Sequence, residues 1–166
     1  MARWCDFVEQ APVLGRYAEH RLCDDATGRI TYVATVRADG GPRVHPVKVF
    51  PSGPGLYLFM YPESPKGLDL LRDPRIALHA AVTVNPFESG ELAAKGTAHL
   101  VQDREIYERA RQAAPFASLP PEDNLLFEID LDHVIGTPVV DGAPVHLRWR
   151  ALDGAERDIG FGGRSS

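Results

Sequence analysis

Lysine is nearly absent from this chain: among 18 basic residues in 166, only Lys48, Lys66 and Lys95 are lysines. With 23 acidic residues against those 18 and a net charge of −5, the chain lacks the positive field that nucleic-acid binding normally needs. DNA and RNA are not expected partners. Cysteine is also scarce, and Cys5 and Cys23 form neither a Cys-x-x-Cys pair nor a disulfide framework, so a reduced, cytoplasmic setting is expected. No apolar run approaches the ~18 residues of a membrane helix, and the start lacks the layout of a signal peptide. Serine never occurs as Gly-x-Ser-x-Gly, and no Gly-x-Gly-x-x-Gly or Walker sequence follows a strand pattern. Hydrolase and dinucleotide-fold readings lose most of their support. The six histidines include no helical i, i+4 pair and no zinc-type cluster, so no metal site is expected.

What remains is ordinary globular material, 44% hydrophobic and 25% charged, of a length that suits one domain over 1–166. Fifteen glycines and fourteen prolines point to many turns. Apolar residues from Trp4 to Leu22 recur at helical spacing, and Pro12 divides them into two short helices. The period then becomes two. Residues 30–37 and 43–50 read as a hairpin around Asp39-Gly40-Gly41-Pro42, and Leu56 to Tyr61 as a third strand buried on both faces. Ser64 as N-cap and Pro65 at the first position predict a helix closing at Asp73-Pro74. Further strands are expected at 75–84, 91–101, 125–131 and 145–152, with a helix at 103–114 and a frayed tail at 159–166. Six or seven strands with few short helices argue for a mainly β, closed or partly closed antiparallel barrel, which protects strand edges.

Chemistry concentrates in two places. At Ser64-Pro65-Lys66 a helix start offers unpaired N–H groups, a hydroxyl and an ammonium, a combination that suits a phosphate. An ordinary cap with a solvated lysine is the competing explanation. On the strand Arg43-Val44-His45-Pro46-Val47-Lys48, arginine offers a bidentate fork and lysine a point charge. Strict alternation separates Arg43 and Lys48 onto opposite faces, unless Pro46 marks a bulge that resets it. The face Ala77, His79, Ala81, Thr83 is mostly small and allows close approach by a flat ligand or another backbone.

In order and spacing, Arg43-x-x-x-x-Lys48, an apolar strand, Ser64-x-Lys66, a short helix and Asp73-Pro74-Arg75 resemble the pyridoxamine 5′-phosphate oxidase-like split-barrel flavoproteins. The likeness runs from about Tyr32 to Val101 and more loosely to Asp130. It implies a Greek-key-like split β-barrel, a homodimer, and flavin mononucleotide (FMN) held at the subunit interface. Carried over residue by residue, Arg43, Val44, His45, Pro46, Val47 and Lys48 line the ring and supply charge, Phe59 and Met60 make the next contact, and Ser64 and Lys66 hold the phosphate. Two of the three lysines thus fall on implied ligand positions.

The chain departs from the oxidases at three points. Pro65 stands where they carry a second arginine, Glu91 roughly where a glutamine meets the flavin, and Trp149 is followed directly by Arg150 instead of the spaced tryptophan and arginine pair. Oxidation of pyridoxamine phosphate itself is therefore disfavoured. The resemblance implies an FMN-binding oxidoreductase acting on a small molecule, with the flavin doing the chemistry and no side chain assigned as catalytic. His45 and Tyr61 could stand near the ring, although structural roles are commoner for such residues. One alternative is an F420-dependent reductase using Arg37, Arg72 and Arg75 as a basic groove. Another is a non-catalytic flavin- or haem-binding protein, with His79 or His146 as haem ligand.

Overall fold

The computed structural model describes residues 1–23, 30–82 and 90–160. It opens with α1 (Trp4–Gln10) and α2 (Pro12–Ala18), followed by a π-helical turn at Glu19–Cys23. Pro12 has no amide hydrogen to continue α1 but fits the first position of α2. Both helices bury their apolar stripe, Trp4, Phe7, Leu14 and Ala18, against the sheet. The strands and remaining helices are β1 (Thr31–Val36), β2 (Pro42–Val47), β3 (Phe50–Ser52), β4 (Gly55–Met60), α3 (Pro65–Arg72), β5 (Arg75–Ala80), β6 (Leu92–Leu100) and α4 (Arg104–Ala113). Then come the long β7 (Leu125–Gly136), a small hairpin of β8 (Val139–Val140) and β9 (Ala143–Pro144), and finally β10 (Leu147–Arg150) and β11 (Ala155–Asp158).

Nine of these strands join one antiparallel sheet in the order β11-β10-β7-β6-β5-β1-β2, with β4 pairing β7 and β3 pairing β4. The sheet curls into a split barrel of mainly β character with short helices. Its inner face is apolar: Val33, Leu56, Leu58, Leu78, Ile129 and Leu131 are buried together with Trp149 and the helix residues. Each large core side chain contributes roughly 1.5–3 kcal/mol through burial. A second, smaller cluster, Phe50, Tyr57, Tyr107, Ala110 and Leu126, packs α4 on the outside of β3 and β4.

Several sequence expectations need correction. Eleven strands occur among the described residues, where six or seven were expected. The strand read as 43–50 ends at Val47, and Lys48-Val49 leave the ladder before β3 begins at Phe50. Pro46 creates no bulge, because β2 stays in register with β1 through Tyr32↔Pro46. A bulge lies instead on β7, where Asp132 is the extra residue opposite the Lys95–Gly96 step of β6. Only glycine fits at that step, since a Cβ on Gly96 would run into the Asp130 carbonyl oxygen. The bulge shifts the alternation of β7, whose buried positions change from Phe127, Ile129 and Leu131 to Val134 and Gly136, and the strand runs past the expected end at Leu131 to Gly136. The strand read as 145–152 is β10, turning through Asp153-Gly154 into β11, a glycine at φ 63°. β5 ends at Ala80; positions 83–84 of its expected span, and most of the tail expected to fray, lie outside the described residues. Among the described residues no helix is long and apolar enough to cross a membrane.

Candidate functional site

α3 forms where the local chemistry calls for it. The Ser64 hydroxyl accepts the Gly67 N–H at 3.2 Å, Pro65 occupies the first position, and Asp73-Pro74 ends the helix. Lys66, in its first turn, faces a pocket of about 310 Å³ that also receives Lys48 from just beyond β2. Pro46 and Val47 complete that edge, while Phe59, Met60 and Tyr61 come from the end of β4. The opposite wall is the strap between α4 and β7, which contributes Phe116, Leu119, Pro120, Pro121 and Asn124.

Pairing of β4 with β7, Met60 opposite Leu125, brings the end of the strap beside the end of β4. Three side chains hold the strap by its carbonyl oxygens. Arg111 Nε donates to Pro120 O at 2.7 Å, Lys48 Nζ donates to Pro115 O at 3.2 Å, and the Tyr107 hydroxyl lies 3.0 Å from Asn124 O. Phe59 is fixed by stacking on Phe50, centroids 5.9 Å apart, and by an edge contact with Tyr107 at 5.6 Å. The pocket therefore combines two ammonium groups with a firm aromatic and apolar wall.

Six of the ten sequence-predicted site residues, Pro46, Val47, Lys48, Phe59, Met60 and Lys66, meet at this pocket. The other four are placed elsewhere. Ser64 is engaged as the helix cap. His45 is half-buried opposite Val33, and Val44, exposed, points to the outer face of the sheet. Arg43 donates from Nε to Asp69 Oδ2 at 2.6 Å. Asp69 also accepts from Thr35 Oγ1 at 2.9 Å and from Arg72 Nη2 at 3.1 Å. Burial alone pushes its carboxyl pKa up, but the hydrogen bonds from Arg43, Thr35 and Arg72 outweigh that and hold it below the ordinary carboxylate value. The strap residues and Asp69 were missed from sequence. Exposed Phe116 and Leu119 inside a proline-rich linker, and an acid among the leucines of α3, were the signals available.

A second concavity, about 390 Å³, lies on the outer face of β1, β5, β6 and β7. Ala34, Ala77 and Ala93 form its floor, with Tyr32, Ile135, Lys95 and His133 around them. His133 is held below the ordinary histidine value by burial first and then by Lys95, Arg150 and Arg148. On the same face His79 has both ring nitrogens engaged, Nε2 with Glu91 at 3.1 Å and Nδ1 with Ala80 O at 2.8 Å. His146 Nδ1 lies 3.4 Å from Thr137 Oγ1 beside a cavity of only about 70 Å³. Arg37, Arg72 and Arg75 each face an acid of this chain: Asp39 at 3.0 Å, Asp69 at 3.1 Å and Asp73 at 2.6 Å. Among the described residues no three His, Cys, Asp or Glu side chains cluster as metal ligands.

The family model described as pyridoxamine 5′-phosphate oxidase matches residues 27–137. No curated protein matches the sequence. Among solved structures, a pyridoxamine 5′-phosphate oxidase-related, FMN-binding protein from Nostoc punctiforme superposes with a TM-score of 0.65 at 15% identity, covering 88% of this chain and 94% of that one. A haem-binding protein from Mycobacterium smegmatis gives 0.61 at 19% identity over 81% of this chain and 57% of its own length. A protein described as an F420 reductase gives 0.53 at 20% identity, over 70% and 94%. At these identities the likeness is one of fold, and it spans proteins named for three different cofactors.

Proposed function

The chain belongs to the pyridoxamine 5′-phosphate oxidase family, and on that premise we propose that it is an FMN-binding oxidoreductase whose cofactor phosphate lies between Lys48 and Lys66. The observation that carries this reading is the meeting of those two lysines in one pocket with an aromatic wall. A phosphate monoester is served by paired ammonium groups and by the N–H groups at the start of α3. A flat ring is served by Phe59, Met60 and the small backbone relief around Pro46 and Val47. Ser64 keeps the helix start in shape, and Arg43, on β2, acts through its bond to Asp69 of α3. When bound, FMN supplies the hydride or electron chemistry on a small-molecule substrate. The protein's own residues bind, orient and shelter it, and no side chain is given a catalytic role.

The outer face supplies the second half of the proposal. Its alanine floor and exposed Tyr32 and Val44 form a largely apolar, gently concave surface suited to a second copy of the chain, giving a homodimer with the cofactor near the subunit boundary. Free Cys5 and Cys23 suit a reducing, cytoplasmic setting.

Specific contacts weigh against the other cofactors. An F420 tail needs an extended basic groove, whereas Arg37, Arg72 and Arg75 are engaged with Asp39, Asp69 and Asp73. A haem needs an axial histidine, whereas both nitrogens of His79 are bonded and His146 borders a cavity far smaller than a porphyrin requires. The visible spectrum of the purified protein tests the proposal. An oxidised-flavin spectrum with FMN released on denaturation is expected; colourless protein that binds F420 but not FMN, or a Soret band, contradicts it.

A further inference from the structure

We infer that Asp69 is a positioning residue for the phosphate pocket, setting Lys66 in place relative to Lys48 through Arg43 and Thr35; the inference rests on the FMN reading above. The Asp69 side chain is only 4% exposed, yet it carries a charge. Its two oxygens accept from three side chains on three elements: Thr35 on β1, Arg43 on β2 and Arg72 on α3. Arg72 also donates to Val36 O, which adds a further tie to β1. Asp69 lies three residues after Lys66 on the same short helix, and Arg43 belongs to the strand whose end presents Lys48. One buried carboxylate thus joins the two elements that carry the two ammonium groups.

Burying a charge is costly unless its partners are well placed, so such a network admits little variation in the spacing of the parts it connects. Phosphate recognition is sensitive to that spacing, because both ammonium groups must reach one small anion. An aromatic ring lying on Phe59 is not, since stacking tolerates a shifted helix. Positioning and mere stabilisation therefore predict different outcomes. Loss of a stabilising network weakens every ligand alike, while loss of a positioning network weakens only the ligand that bears the phosphate.

The experiment titrates the full-length chain with FMN and with riboflavin, the same ring without phosphate, and follows quenching of flavin fluorescence. Asp69→Asn is expected to lower FMN affinity by about tenfold or more with riboflavin affinity unchanged. Thr35→Val, which removes one bond and leaves the ion pair, shifts FMN affinity in the same direction by less and decides the matter if Asp69→Asn does not fold. Equal weakening of both flavins, or unchanged FMN affinity, overturns the inference and leaves the FMN reading standing. A wild-type chain that binds neither flavin overturns both.

Discussion

The lysine pocket and the outer-face concavity are of similar volume, about 310 and 390 Å³, but their walls are built from different chemistry. The pocket is bounded by a firm strap, two ammonium groups and large aromatic side chains, so it can discriminate a small anionic ligand by charge and shape. The outer concavity is a sheet surface of alanines with Tyr32, Val44 and Ile135 at its margins, and His79, Lys95 and His133 interrupt its apolar character. A small molecule finds few directional partners there, while another flat protein surface can approach closely. On the proposed reading, wall composition separates the ligand site from the docking face where volume does not.

That contrast can be broken at either end. The largest effect is expected from Ala34→Glu, which sets a carboxylate in the middle of the outer face. Covering that charge with a second copy costs several kcal/mol, so the proposed dimer should weaken by a factor on the order of a thousand, and FMN held near the subunit boundary should be bound more weakly with it. Sedimentation that finds the same dimer in the variant would show that the outer face is not the dimer interface. Next in size is Lys66→Ala, expected to weaken FMN by about 10- to 100-fold, the worth of a charge-assisted hydrogen bond, with riboflavin unaffected. Equal FMN affinities for variant and wild type would assign the phosphate to another place. The smallest effect concerns His133. Its pKa is depressed in the folded chain, so the neutral form is favoured there and stability is present above the unfolded value of about 6.5. As pH falls through that value the unfolded chain takes the proton first, and stability declines until the folded pKa is passed. His133→Gln should reduce the loss of melting temperature between about pH 7 and 5; identical pH slopes would show that the outer-face histidine is not coupled to folding.

How much of this was legible in the sequence depended on the range of the interactions involved. α3 was read to the residue, because Ser64, Pro65 and Asp73-Pro74 act within a few positions of one another. The hairpin of β1 and β2 was legible for the same reason, with Gly40 at φ 82° making its turn. β7 was read too short because its alternation resets at Asp132, an extra residue defined only by its pairing with the Lys95–Gly96 step of a different strand. Lys48 and Lys66 were named for the site, yet the partner of Arg43 was not, since Asp69 lies 26 positions away and meets it only after α3 has packed on the hairpin. The strap looked like a linker. Its place over the lysines comes from the pairing of Met60 with Leu125, a contact that no local pattern contains.

The central claim, that Lys48 and Lys66 together hold FMN, is tested most directly by equilibrium dialysis of the folded Lys48→Ala, Lys66→Ala double variant beside the wild-type chain at one FMN concentration. Wild-type protein retaining FMN while the double variant retains none is the result expected. Equal retention of FMN by the two proteins would contradict it.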